Sequence, residues 1–327
     1  MQRRVGSVGT PNGTGKTFHG RVALASRQCP GRIPVAPWSD RANVVRSNLA
    51  GSLVLIALVV LATATGARAA EGDAPIRPQS PIRVFNGKDL TGFYTWLQDA
   101  KYDDPRKVFT VKDGVMRISG DGLGYICTKH AYRDYHLVVE YRWGTKTWGK
   151  RVDRARDSGI IIHCQDPDGS FHNTFMAGIE AQIIEGGTGD ILVLPGKRAD
   201  DGVIPASLTA EVTRDRDGET VWKKGAPRKT LPSGRINWFG RDPDWTDTIG
   251  FRGKQDVDSP GQEWTRLDVL CDGGHIVYRV NGVVANEGFD SVPSSGKILL
   301  QTEMAEIFIR RFELRPLGQP SETAPGK

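Results

Sequence analysis

The chain has 327 residues, with 44 Lys and Arg against 38 Asp and Glu and a formal net charge of +6. Nine of the basic residues but only Asp40 among the acids precede position 70, leaving 35 basic and 37 acidic residues beyond it. A body this close to neutral excludes nucleic acid as a natural partner, and the length fits one large or two small domains.

Residues 1–48 are basic, rich in Gly and Pro and without periodicity. Within them, Gly-Lys-Thr at 15–17 resembles the end of a phosphate-binding loop. That loop needs Gly at position 10, where Thr10 stands, and a preceding apolar strand, which is missing; the reading is rejected. Arg41 and Arg46 lead into an apolar run at 49–61, followed by Ala67-Arg68-Ala69. This is the order of a secretory signal, with cleavage expected after Ala69. The run is too short to span a bilayer comfortably. The expectation is therefore an exported protein, periplasmic or extracellular, with an uncleaved membrane anchor as the alternative. Cleavage would remove Cys29 and leave Cys127, Cys164 and Cys271, which allow at most one disulfide. The remaining chain of about 258 residues can build its core without such staples.

Residues 70–81 read as a Pro-containing linker, 82–317 as one domain and 318–327 as a tail. From Ile82 onward, short apolar or alternating runs dominate. They fall at 115–118, 125–128, 136–143, 159–164, 179–184, 191–194, 207–212, 264–271, 276–280, 297–301 and 307–314. In the 136–143 run, Leu137, Val139, Tyr141 and Trp143 alternate with His136, Glu140 and Arg142, the pattern of a half-buried strand. Asp272-Gly273-Gly274 and Asn281-Gly282 supply tight hairpin turns. No long segment of 3.6-residue period occurs. Many short strands separated by turns predict an all-β, antiparallel sandwich. A loop-rich insertion at 213–262 carries Trp222, Trp238 and Trp245, a content that favours order.

The segment Gly-Ile-Glu-Ala-Gln-Ile-Ile-Glu-Gly-Gly-Thr-Gly-Asp at 178–190 is the richest in chemistry. On a strand, Glu180 and Gln182 share a face, and one bulged residue would return Glu185 to it. Two carboxyls flanking an amide suit sugar chemistry, one serving as acid or base while the other stabilises or attacks. The competing reading is an edge strand whose polar face meets water. The glycine-rich turn at 186–190 tips the balance, because it lets backbone approach whatever lies over the strand.

Several further pieces carry a resemblance. They are Phe-Asn-Gly-Lys-Asp-Leu-Thr-Gly at 85–92, Asp-Gly-Val-Met-Arg-Ile at 113–118, and Tyr-x-x-Tyr-x-Leu-x-x-Glu at 132–140. In the same order follow Asp-Ser-Gly-Ile-Ile-Ile-His at 157–163, Ile-Glu-Ala-Gln-Ile-Ile-Glu at 179–185 and Glu-Trp-Thr-Arg-Leu at 263–267. Gly-Lys-Ile-Leu-Leu-Gln-Thr-Glu at 296–303 and the strand at 307–314 complete the series. Together they resemble the 3-keto-disaccharide hydrolase family over residues 82–317. His163, where many members carry Arg, and the Gly-Gly-Thr-Gly-Asp extension look like a subgroup. The resemblance implies a concanavalin-like jelly roll acting on glycosides already oxidised at C3. It further implies a lyase and hydratase activity: 1,2-elimination of the aglycone, then hydration of the resulting 3-keto-2-hydroxy-glucal. No dinucleotide fingerprint follows any strand, so a separate sugar 3-dehydrogenase is the implied partner.

The chemistry needs a base for the C2 proton, a donor for enolate charge and an acid for the leaving oxygen. Glu180 and Glu185 are the leading acid/base candidates, with Gln182 between them as a donor to the sugar. His163, behind the Ser158-Gly159 turn, suits base work. With one or two of the Glu residues it could also hold a divalent metal, although the spacing matches no standard ligand motif. Ser158, Arg156, Arg252, Gln301 and Glu303 are substrate-binding candidates at turns and strand ends. Trp148, Trp238 and Trp245 are candidate stacking platforms for pyranose rings, packing being the alternative. Lys150, Arg151 and Arg154 read as a solvated basic loop. Two other functions compete. A retaining glycosidase is suggested because Glu-x-Gln-x-x-Glu resembles the Glu-x-Asp-x-x-Glu strand of laminarinase-type β-glucanases. A non-catalytic, lectin-like binding module would use the aromatic loop alone.

Overall fold

The computed structural model describes residues 74–318. The expected leader and cleavage site and most of the tail lie outside the described residues. Among those described, no helix is long and apolar enough to cross a membrane. Apart from one short 3-10 turn at Gly149–Arg151, the regular elements are strands, and every strand pairing is antiparallel. The chain folds as a jelly-roll β-sandwich.

One sheet has eleven strands and is centred on Tyr135–Thr147, which pairs with Thr265–Asp272 on one side and Ala305–Arg315 on the other. The alternation seen in the sequence decides its orientation. Leu137, Val139, Tyr141 and Trp143 enter the core between the sheets. On the opposite face the buried His136 meets Asp268 at 2.7 Å. Both two-residue hairpins form as their sequences dictate. Val280 pairs with Val283 across Asn281 and Gly282, whose φ values of 46° and 86° suit Asn-Gly.

The second sheet has seven strands. Its order is Gly234–Ile236, Ile191–Leu194, Ala177–Ile184, Asp157–Gln165, Lys297–Glu303, Leu123–Thr128 and Phe93–Leu97. The strand carrying Glu180 is therefore interior, and all eight of its residues are buried. Ile179, Ala181 and Ile183 face the inter-sheet core together with Ile160, Ile162, Ile298 and Leu300. Period-2 alternation sends Glu180 and Gln182 to the other face. The bulge in this region falls between Ile162 and Gln165, where His163 has φ of +55°, and not between Gln182 and Glu185.

The 213–262 insertion is ordered. It contributes the strands Thr220–Trp222, Arg228–Leu231 and Gly234–Ile236, then runs without strands to Thr265. The segment at 74–81 is tied down where the Ile76 N–H donates to Ala131 O at 2.8 Å. Cys127, Cys164 and Cys271 are free and buried.

Candidate functional site

The outward face of the seven-stranded sheet holds three adjacent rows of side chains. Pairing places Arg235, Leu192, Glu180 and Ile161 in one row. The next contains Gln182, Gly159, Gln301 and Tyr125, and the third brings Ile184 and Asp157 toward Glu303. Gly159 creates the space at the centre. A Cβ there would stand 2.3 Å from Glu180 Oε1 and 2.6 Å from Gln301 Oε1, so both oxygens occupy room that any other residue would fill.

Burial makes this face a group of weak acids. Glu180, 4% exposed, is pushed up to about 8 by desolvation and by the charge of Asp157, against the pull of Arg235 and a hydrogen bond from Gln301. Glu303 is pushed up to about 7 by desolvation and by Glu180, with Arg151 opposing. Asp157 is raised as well, because desolvation and Glu303 outweigh its contact with Arg151. The Arg151 guanidinium lies between these carboxyls, 3.7 Å from Glu303 Oε1. Three carboxyls that raise one another beside a fixed guanidinium can donate a proton, accept one and stabilise a developing anion within one site.

The glycine-rich turn braces the far end of the site. Asp190, fully buried, accepts from Arg241 at 2.6 Å, Arg235 at 3.0 Å and the Trp238 N–H at 2.8 Å. This fixes Arg235 in the Glu180 row. Gly186 is indispensable for close packing: a Cβ would meet Phe251 at 2.5 Å and Trp245 at 2.8 Å. Among the described residues, no group of three or more His, Cys, Asp or Glu is arranged to hold a metal ion.

The family comparison agrees with the order of the motifs. A model of the 3-keto-α-glucoside-1,2-lyase-like domain matches residues 80–315. The chain belongs to this family. No curated protein matches the sequence. Among solved structures, the chain is similar to a candidate glycosyl hydrolase from Parabacteroides distasonis ATCC 8503. That match has 17% identity and a TM-score of 0.43, covering 73% of this chain and 94% of the other. It is also similar to the carbohydrate-binding module CBM66 from Bacillus subtilis, at 11% identity and TM-score 0.37, covering 68% and 95%. A third is the Bacillus licheniformis β-glucanase, at 10% identity and TM-score 0.36, covering 72% and 98%.

Within this 3-keto-α-glucoside-1,2-lyase-like domain, the residues singled out from sequence occupy different places. Glu180, Gln182, Gln301 and Glu303 come together on the outward face. Ser158 alternates to the core side, where its hydroxyl donates to Gln301 O at 3.1 Å and positions that strand. Glu185 lies beyond its strand. Its Oε2 accepts from the Arg156 N–H at 2.8 Å and the Gly250 N–H at 2.9 Å, and its Oε1 pairs with Arg156 Nη1 at 2.5 Å. Glu185 and Arg156 thus join two loops. His163 is fully buried, edge-on to Tyr135 with ring centroids 5.8 Å apart, and burial lowers it to about 4.

Trp238 is 1% exposed and packs edge-on against Phe239. Trp245 donates to Glu185 O at 2.8 Å and has the Arg241 guanidinium 4.6 Å from its ring. Trp148 donates to Ser119 O at 2.8 Å, next to the Glu303 end of the site. Arg252 holds the turn at Asp256 and Asp258.

Asp157, Gly159, Arg151 and Arg235 were not among the residues singled out. Asp157 was reachable by the alternation that pairs Glu180 with Gln182, since it stands two residues before Gly159. The sequence pattern of Lys150, Arg151 and Arg154 is that of a solvated loop, yet the Arg151 side chain is 14% exposed and bridges Asp157 to Asp247. Nothing local in the sequence reveals that contact.

Proposed function

We propose that this protein cleaves 3-keto-glycosides by 1,2-elimination of the aglycone followed by hydration of the 3-keto-2-hydroxy-glucal. Beyond family membership, the observation that carries this reading is the carboxyl pair raised to about 8 and about 7 on one sheet face, with Arg151 beside it. Such acids exchange protons near neutral pH, where ordinary carboxylates are fully ionised.

In the proposed sequence the sugar lies over Gly159. Glu303, as the carboxylate, removes the C2 proton that the C3 ketone acidifies. The electron pair moves onto the ketone oxygen, and Arg151 stabilises the enolate charge. As the enolate collapses, the C1–C2 double bond forms and the C1–oxygen bond breaks. Glu180, protonated, gives its proton to the departing oxygen. Water then adds at C1 and Glu180 takes its proton, while Glu303, whose proton has exchanged with solvent, protonates C2. Both carboxyls recover their starting states.

The test is turnover of a 3-keto-glucoside and its unoxidised parent by the purified protein in deuterium oxide. The expected result is cleavage of the ketone alone, with deuterium at C2. Equal cleavage of the parent without deuterium at C2 would instead establish a retaining glycosidase. Binding without turnover of either substrate would establish a non-catalytic carbohydrate-binding module.

A further inference from the structure

Beside the carboxyl face lies a groove of about 960 Å³, within the usual range for small-molecule pockets. It is continuous with the proposed site. Leu192 and Arg235, which stand in the Glu180 row, form one wall. The opposite side is formed by the 167–173 loop, and the groove runs out along 192–199 to Val203.

The walls present Pro167, Phe171, Leu192, Leu194, Pro195 and Val203. Most of the charged side chains beside them are already engaged. Asp168 accepts from Tyr94 at 2.7 Å, Tyr125 at 2.6 Å and Tyr102 at 2.8 Å. Lys197 aside, which stands along the outer stretch of the groove, the cations also have partners: Arg198 meets Asp200 and Arg235 meets Asp190. Ser170 accepts from the Ala177 N–H. A second sugar would bring hydroxyls here and lose their water without adequate replacement. A flat apolar group would bury surface at no such cost. Val203, 64% exposed, is an apolar side chain at the rim of the kind such a group would cover.

We infer that this groove takes the aglycone, and that the aglycone is aromatic. The inference rests on the proposed elimination, and names its substrate class as aryl 3-keto-glycosides. The aryl oxygen would lie between the groove and Glu180, leaving with the electron pair of the C1–oxygen bond and receiving the Glu180 proton. Arg235 stands at the junction, where negative charge grows on that oxygen.

The experiment uses 2-naphthyl and methyl 3-keto-glucosides as substrates and 2-naphthol as a binding probe. Val203→Trp narrows the rim, and Val203→Glu places a charge there; both change an exposed position outside the proposed proton-transfer groups. Each is expected to raise KM for the naphthyl substrate about tenfold or more while leaving the methyl substrate unchanged. Each should weaken 2-naphthol binding by a similar factor in calorimetry. A lower KM for a 3-keto-disaccharide than for the naphthyl substrate would overturn the inference. So would 2-naphthol binding that neither variant alters. If the wild-type protein turns over no 3-keto substrate, the elimination reading fails, and 2-naphthol binding and its loss in the variants decide the groove separately.

Discussion

Glu180 and Gln301 meet above a glycine: their Oε1 atoms lie within 2.3 and 2.6 Å of the point where a Cβ on Gly159 would stand. Two strands thus depend on one missing side chain to bring a buried acid and an amide to the same spot. Gly159→Ala should leave the sandwich folded, because the displaced atoms are ends of flexible side chains. It should lower kcat/KM on a 3-keto-glucoside by about a hundredfold, since displacement of about 1 Å is costly to proton transfer. A wild-type rate in a folded Gly159→Ala variant would remove this glycine from the mechanism.

The pH profile follows from the assigned roles. Elimination needs Glu303 ionised and Glu180 protonated, so kcat/KM should rise through about 7 and fall through about 8. Because the two acids interact, these limbs belong to the pair. Glu180→Gln should slow an alkyl 3-keto-glucoside by about a hundredfold or more, and a 4-nitrophenyl one by roughly tenfold or less. The stabler nitrophenolate needs less help from an acid. An equal loss on both substrates would exclude Glu180 as the acid to the leaving oxygen.

Stability should depend on pH in opposite directions at two buried groups. Glu180 is raised from 4.5 to about 8 in the fold. The native state therefore holds a proton that the unfolded state lacks in this window, and stability falls as pH rises across it. Glu180→Gln should remove that loss and raise Tm at pH 9 by a few degrees, measured by calorimetry. His163 is lowered from 6.5 to about 4, so its contribution falls as pH drops from 6.5 toward 4. His163→Gln should flatten that acid limb and leave the limb above pH 7 unchanged.

Glu185 and Arg156 form a clamp whose loss should register as stability. Glu185→Gln keeps the shape but leaves the Arg156 guanidinium short of a charge partner, at a cost of about 2–4 kcal/mol in denaturant unfolding. Reduced activity should accompany loosening of the 245–251 loop. A variant with unchanged stability and no turnover would instead make Glu185 part of the chemistry.

The sequence by itself determined the architecture. Alternation in 136–143, the Asn281-Gly282 turn and the scarcity of helical periodicity are local signals, and each acts over a few residues. They sufficed for an antiparallel sandwich and for placing Glu180 and Gln182 on one face. The strand Phe93–Leu97 and those inside 213–262 escaped because they are short and weakly alternating, so their pairing is set by neighbours distant in sequence. Only the tertiary structure decided which acids meet. Asp157, Glu180 and Glu303 are joined by strand register, and Arg151 reaches Asp157 and Glu303 from the 3-10 turn. Glu185, three residues beyond Gln182, is engaged by Arg156 and the Gly250 N–H. Spacing along a chain fixes the face a side chain takes within one strand; across strands, burial and register choose its partners, and those partners determine where its proton resides.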